Sequence, residues 1–371
     1  MKTGVIGAGT MGAAIAALLA NAGYDVVLVD VNDDALEKAR KRHEGGDLKQ
    51  IEQAGLKRRE EISSKIKYTT NLEEVRDSDL IVEAIPEKLD LKVEVMKKIE
   101  SLVSDDCILA TNTSSFKPSE VAAGLKNPER VVLFHFSNPP ILMKIVEIAG
   151  DLASEDAIGK AIEVARKIGK EPVLLKKECR GHIFNRFLGV AGVAGAWELM
   201  YARPEEIDAA LKGLGSPYGF FELLDLIGID VVIDVLNSFK ESYGKKFELP
   251  KGMAFFLDKM LEWGKLGKKS GEGFYRWAEG KAMIPDATPY DIIPIISAVV
   301  NEAFLELEEG IADKETINEA YKLATGSPLG VFEVAEMLGY NTILELLERL
   351  YREREAEIYK PAEKLREASK N

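Results

Sequence analysis

Apolar positions fall in short runs through the first half of the chain and at helical spacing through the second. Residues 3–6, 26–29, 80–84, 108–111, 131–136 and 144–148 are compact apolar stretches that read as strands. Between them lie segments with helical periodicity, an Ala- and Leu-rich one ending near Ala22 and another over 91–102. Strands alternating with helices imply a parallel sheet covered on both faces, an α/β doubly wound fold. Residues 33–67 break the alternation. They are helical, charged and interrupted at Gly45-Gly46, which predicts a helical arm in place of a tight crossover. From about residue 181 the strand signals stop, and the rest is expected to be all-helical.

That helical half repeats itself. Gly215-Ser216-Pro217-Tyr218-Gly219-Phe220-Phe221-Glu222 returns as Gly326-Ser327-Pro328-Leu329-Gly330-Val331-Phe332-Glu333, and Gly228 returns as Gly339, at one offset of 111 residues. One module therefore occurs twice, with a Pro-containing linker around 283–289 between the copies. The expected organisation is an α/β domain over 1–180, a helical module over 181–280 and a second, structural one over 288–371. A length of 371 residues suits two or three such domains.

Composition narrows the class. Hydrophobic residues at 46% and charged residues at 30% exclude a disordered chain. The net charge of -13 argues against broad binding to nucleic acid or anionic membranes, which need a basic surface. Two cysteines, Cys107 and Cys179, give no disulfide framework and no metal-cluster spacing, so a cytoplasmic setting without a metal is expected. No apolar run is long enough to span a bilayer, and a glycine fingerprint starting at Gly7 leaves no room for a removable signal peptide.

The chemistry begins at that fingerprint. Gly7-Ala8-Gly9-Thr10-Met11-Gly12 follows a strand and opens a helix. In this setting Gly7 permits the tight turn, Gly9 lets a pyrophosphate approach the backbone, and Gly12 lets the helix pack on the sheet. Asp30 ends the next strand, 18 residues beyond Gly12, where an acid accepts ribose hydroxyls and repels a 2′-phosphate, favouring NAD over NADP. Glu83 to Glu87 and the turn Asn112-Thr113-Ser114-Ser115 fall at strand carboxyl ends, where open α/β sheets bind ligands.

The runs 131–136 and 144–148 are joined by a short loop. If they form a hairpin with its midpoint near Ile141, His135 faces Glu147, an imidazole opposite an acid that would fix its tautomer and stabilise its charged form. On strand pairing alone, a structural histidine beside an incidental glutamate is the commoner arrangement. His43 and His182 have no acid partner legible in the sequence. The arm holds ten Lys/Arg and eight Asp/Glu, including Arg40-Lys41-Arg42 and Lys57-Arg58-Arg59. Such a run is ordinarily a solvated helix face, and the alternative is a patch for a phosphorylated nucleotide handle.

Taken together, these blocks resemble the 3-hydroxyacyl-CoA dehydrogenase family over nearly the whole chain. They are Gly7 to Gly12 with Asp30, Glu83 to Glu87 with Lys92, Asn112 to Ser115, His135-Phe136-Ser137-Asn138-Pro139, Lys144 to Ile148, Asn185-Arg186, Gly215 to Asp225, and Gly267-Lys268-Lys269-Ser270-Gly271-Glu272-Gly273-Phe274-Tyr275. The resemblance implies a Rossmann-type domain followed by two tandem helical modules, and NAD-dependent interconversion of (S)-3-hydroxyacyl-CoA and 3-oxoacyl-CoA. It implies that His135 is the base, Glu147 its partner, and Ser114 and Asn185 the groups that hold the 3-oxygen. Asp30, Glu87, Lys92, Asn138 and Lys269 match positions that contact NAD, and the arm matches the region that meets CoA.

Three departures stand out. Arg180 and His182 replace the family's usual Pro and Phe, Ser137 replaces a second Phe after His135, and the first module is about two residues short between Asn185 and Pro204. With Ser137 and His182 the acyl region is expected to be more polar, favouring short chains. In the second module Ile293 falls about where a catalytic Asn would lie and Pro294 follows, so that copy reads as structural. In single-copy members the helical module dimerises, so the second copy is expected to cover the first and permit a monomer. Competing readings are a free hydroxy-acid or sugar-acid dehydrogenase, against which the basic arm speaks, and a non-catalytic NAD-binding paralogue, against which Ser114, His135, Glu147 and Asn185 speak.

Overall fold

The computed structural model describes residues 1–46, 55 and 59–370. They form two compact units, Met1–His182 and Ile183–Asn371.

The first unit is built on an eight-stranded sheet: β1 (Lys2–Ile6), β2 (Asp25–Val29), β3 (Ile66–Thr69), β4 (Leu80–Glu83), β5 (Ile108–Thr111), β6 (Val131–Phe136), β7 (Ile145–Ala149) and β8 (Glu171–Leu174). Their spatial order is β3-β2-β1-β4-β5-β6-β7-β8. All neighbours are parallel except β6 and β7. β4, β5, β6 and β7 are buried at every residue, which is why their sequences run apolar without alternation.

Helices α1 (Thr10–Asn21), α2 (Asp33–Lys41), α3 (Arg59–Ser63), α4 (Leu89–Leu102), α5 (Pro118–Val121) and α6 (Glu155–Lys167) accompany the sheet. One core forms where α1 and α6 bury Ile15, Leu18, Leu19, Val164 and Ala165 with Val5, Val82 and Phe134, and a second joins Met96 and Ile99 of α4 to Ile6, Ile81 and Leu109. Each such large side chain contributes about 1.5–3 kcal/mol on full burial.

Two edge strands were not evident from the pattern. β3 overlaps the end of the stretch read as a helical arm, and β8 carries Pro172, a residue confined to edge strands because it lacks the ladder donor. Among the described residues the arm holds α2, a further turn at Arg42–Gly46, and α3, and it ends before β3. Within it, Glu37 pairs with both Arg40 and Lys41, and the Arg40 guanidinium lies over the Tyr68 ring. Lys57 and Arg58 lie outside the described residues.

The second unit holds α7 (Phe184–Glu198), α8 (Pro204–Gly213), α9 (Phe220–Ile227), α10 (Ile229–Tyr243) and α11 (Lys251–Glu262), then α12 (Ile293–Glu308), α13 (Lys314–Thr325), α14 (Val331–Leu338), α15 (Tyr340–Arg354) and α16 (Glu363–Ala368). The region is helical as expected, with one short exception. Trp277–Ala278 and Lys281–Ala282 pair as a two-stranded ladder, and bridges join Gly267 to Glu272 and Glu272 to Arg276, because the run from Gly267 to Gly273 is too glycine-rich to continue a helix.

The sequence repeat is a structural repeat. Gly219 and Gly330 each open a helix with the amide held by a glutamate three residues on, Glu222 and Glu333. α12 packs along α7, so the second copy covers the first. Ion pairs join them in both directions, with Arg186–Glu302 buried on both sides. Arg186 of the first copy reaches Glu302 and Glu309 at 2.7 and 2.6 Å, while Glu198 receives Arg354 at 2.5 Å. Breaking one partner of such a buried pair costs about 3–5 kcal/mol. Among the described residues no helix is long and apolar enough to cross a membrane.

Candidate active site

The strand order reverses between β1 and β4, the place where an open parallel sheet leaves a crevice at its carboxyl edge. The glycine loop leaves β1 into it. Gly7 sits at φ +103°, and a Cβ there would collide with the Ala84 backbone. A Cβ at Gly12 would collide with the Gly7 carbonyl, so α1 approaches the loop only with glycine at that position. Gly9, at the N-cap of α1, has no neighbour within 4 Å of where its Cβ would stand, which keeps the backbone face open beside the helix amides.

Asp30 ends β2 beside this loop. Its Oδ2 accepts the Ala8 amide at 2.7 Å and its Oδ1 the Asn32 amide at 2.9 Å. The carboxylate is thereby oriented while further lone pairs stay available to ribose hydroxyls. The residues present fit a dinucleotide.

Across the crevice, β4 ends in Glu83, which accepts Lys92 Nζ at 2.8 Å and Thr111 Oγ1 at 2.7 Å, all three buried. Lys92 also pairs with Glu87 at 3.0 Å. Glu87 in turn accepts Thr113 Oγ1 at 2.5 Å and the amides of Ser114 and Ser115 at 2.9 and 2.8 Å. Burial raises the Glu87 carboxyl, but Lys92, the Thr113 hydroxyl and the Ser115 amide outweigh it and hold the group below the usual carboxylate range. Glu87 is thus a charged clamp on the turn that carries Ser114, and Lys92, at 1% exposure, acts through it.

β6 and β7 form the antiparallel hairpin with His135 opposite Glu147. His135 Nδ1 and Glu147 Oε2 are 2.7 Å apart. A carboxylate only accepts, so Nδ1 carries the proton and Nε2 is left as the basic nitrogen. Asn112 Oδ1 accepts the Phe136 amide at 2.9 Å, which ties the Ser114 turn to the strand beside His135. Asn138, exposed on the loop after β6, precedes a cis proline at 139.

Asn185 lies in the first turn of α7 and Lys269 in a short turn where it pairs with Asp230, both in the second unit. In the second copy Pro294 opens α12, and no asparagine stands at Ile293.

The departures resolve differently. Arg180 pairs with Glu120 and its guanidinium lies over Phe116, so it is absorbed locally. His182 is fully buried with its ring centroid 4.9 Å from that of His135, and Nε2 is 2.9 Å from the Thr113 carbonyl. No acid partner for it is legible in the sequence. Its neighbour is the other imidazole, 47 residues away, which no local pattern signals. His43 anchors the arm to α1, with Nε2 on the Ala13 carbonyl and Nδ1 on the Tyr68 hydroxyl.

A glycine cradle at the switch point and an imidazole oriented by a buried acid a few strands away define a dinucleotide-dependent oxidoreductase. Comparison with known proteins narrows the class. Residues 2–179 match the NAD binding domain of 3-hydroxyacyl-CoA dehydrogenase, and residues 181–277 and 294–371 each match its C-terminal domain. The chain belongs to the 3-hydroxyacyl-CoA dehydrogenase family, and NAD is its coenzyme. It is 36% identical to a 3-hydroxybutyryl-CoA dehydrogenase of Clostridioides difficile over 74% of this chain and 99% of that one. The mitochondrial hydroxyacyl-coenzyme A dehydrogenase of Sus scrofa is 35% identical over 74% of this chain and 90% of its own length. Among solved structures, a 3-hydroxybutyryl-CoA dehydrogenase from Escherichia coli K12 superimposes with a TM-score of 0.87 at 26% identity, covering 100% of this chain and 98% of that one.

Proposed function

We propose that this NAD-dependent 3-hydroxyacyl-CoA dehydrogenase interconverts (S)-3-hydroxyacyl-CoA and 3-oxoacyl-CoA on short chains such as 3-hydroxybutyryl-CoA, with His135 as the base. The observation that carries the reading is the buried His135–Glu147 pair at 2.7 Å. Nε2 of His135 takes the proton of the 3-hydroxyl, and the adjacent Glu147 stabilises the imidazolium that forms. Ser114 and Asn185 position the 3-oxygen. Bound NAD supplies the acceptor for the hydride that leaves C3.

The coenzyme is held at the Gly7, Gly9 and Gly12 loop, with Asp30 for the ribose and Glu87, Lys92, Asn138 and Lys269 toward its other end. Lys92 serves there by fixing Glu87. The basic arm takes the CoA moiety. Relatives named for hydroxybutyryl-CoA support the short chain. The second helical copy covers the apolar face of the first, which supports a monomer, and a composition with only two cysteines in 371 residues supports a cytoplasmic setting.

The test follows NADH formation from (S)-3-hydroxybutyryl-CoA, longer CoA esters and the free hydroxy acid. The expected result is turnover of the CoA esters with kcat/KM highest at four carbons. Turnover of the free acid at a comparable kcat/KM would remove CoA from the reading. Asp30→Ala is expected to weaken NAD binding and narrow the preference over NADP, read as two dissociation constants.

A further inference from the structure

Two buried side-chain polar atoms near His135 in the fold or the chain, His182 Nδ1 and Ser137 Oγ, have no hydrogen-bond partner among the described residues. His182 has no exposed surface, and its ring packs on that of His135 at 4.9 Å between centroids. Ser137 is 4% exposed and follows the end of β6 directly, two residues beyond His135 in the chain. The tautomer of His182 follows from its other nitrogen. The Thr113 carbonyl can only accept, so Nε2 carries the proton and Nδ1 is a bare lone pair that accepts and cannot donate. Burial, with His135 the next influence, pushes this imidazole down to about 4, so the lone pair stays bare at neutral pH.

The backbone at His182 is also held at φ +52°, a left-handed conformation unfavourable for a residue with a Cβ. A strained residue carrying an orphaned buried acceptor against the catalytic ring marks a place that a ligand completes. The chemistry of the two atoms selects that ligand. An alkyl chain, a ketone or a carboxylate offers Nδ1 no proton. A hydroxyl does, and, unlike an amide nitrogen, the same atom also accepts from the Ser137 hydroxyl. The reacting 3-hydroxyl is not available for this, because its single proton must point to His135 Nε2.

We propose that His182 and Ser137 form a hydroxyl-selective subsite beside His135, which takes a second hydroxyl carried by the acyl chain beyond C3 and disfavours a plain alkyl group there. The proposal rests on the dehydrogenase reading above. It is tested with CoA esters that differ by one replacement of CH3 by OH: 3,5-dihydroxyhexanoyl-CoA against 3-hydroxy-5-methylhexanoyl-CoA, and 3,6-dihydroxyhexanoyl-CoA against 3-hydroxyheptanoyl-CoA.

The native protein is expected to favour the hydroxyl member of at least one pair by more than about tenfold in kcat/KM, since a site built to hydrogen-bond a hydroxyl rejects the analogue lacking it. His182→Phe is expected to erase that preference, and Ser137→Ala to reduce it several-fold, with the NADH dissociation constant by fluorescence unchanged in both. Calorimetric dissociation constants of the same ester pairs read the subsite without turnover, so its failure and that of the dehydrogenase reading are distinguished. A native preference for the methyl member in both pairs would mean the atoms hold water alone and would overturn the proposal. So would a preference that survives both substitutions, or a shifted NADH affinity with an unmoved preference, which would assign the pair to the coenzyme.

Discussion

Asp208 and Asp225 of the helical unit and Glu147 of the sheet unit are all buried carboxylates, but the donors around them differ in kind. In the helical unit Asp208 accepts the amides of Phe221 and Glu222 and the Tyr275 hydroxyl, and Asp225 accepts the amides of Phe274 and Tyr275 and the Trp277 indole. None of these donors gives up a proton near neutral pH, and burial raises the Tyr275 phenol still further, with Asp208 adding to it. In the sheet unit Glu147 faces the His135 imidazole, a group that can both accept and give a proton. A buried acid held by amides fastens loops to helices, whereas one held by a histidine is arranged for proton transfer.

The second helical copy sharpens the point. At the position of Asp208 it has Asn318, whose Oδ1 accepts the Phe332 amide at 2.9 Å. At the position of Asp225 it has Glu336, exposed and paired with Lys314. The repeated fold therefore needs an acceptor at the first position and no charge, and the second position matters only where the Gly267–Tyr275 segment must be held down.

Deleting residues 290–371 should have the largest effect on this comparison, since it strips Arg186 of Glu302 and Glu309 and uncovers α7. The truncated chain is expected to aggregate or dimerise, read by light scattering. A soluble monomer would show that the second copy is dispensable as a cover. Asp225→Ala comes next, expected to lose about 2–4 kcal/mol because three donors lose their acceptor, measured by urea denaturation. Asp208→Asn should cost less, about 1–2 kcal/mol, because Oδ1 still accepts the Phe221 amide, as Asn318 does for Phe332, and the Glu222 amide alone loses its acceptor. A loss as large as that of Asp225→Ala would show that charge is needed.

Acid sensitivity gives a further contrast, read in stability against pH. The His182 imidazole stands at about 4 in the folded chain against its ordinary 6.5, so the unfolded state binds more protons between those values. Stability therefore falls as pH drops from 6.5 toward 4, by at most about 3 kcal/mol, and His182→Phe should flatten that slope. Asp208 and Asp225 are raised by burial and act in the opposite sense at lower pH, where they favour the folded state below 3.8 and lose that effect as pH rises through their folded values. A slope unchanged in His182→Phe would remove the imidazole as its source.

Much of this was legible in the sequence where the determinants are local. The glycine loop and Asp30 lie within one strand-helix-strand unit, and the facing of His135 and Glu147 follows from two apolar runs and a short loop, since paired positions in a hairpin sum to a constant. What the sequence hid depends on distant packing. β3 is a four-residue strand of Ile66, Lys67, Tyr68 and Thr69 among charges, and its strand character comes from pairing with β2. Lys92 looks like a surface lysine until Glu83 and Glu87 close over it. His182 meets His135 only because the Asn112 turn holds it from below by the Thr113 carbonyl.

The most direct measurement pairs NADH formation from (S)-3-hydroxybutyryl-CoA with the unfolding midpoint for the native protein and Glu147→Gln. Glutamine keeps the size of the side chain and can still accept the Nδ1 proton, but cannot neutralise an imidazolium. The predicted result is a kcat lower by about 10²–10⁴-fold with a midpoint within a few degrees of native. Native turnover in a folded Glu147→Gln protein would contradict the account.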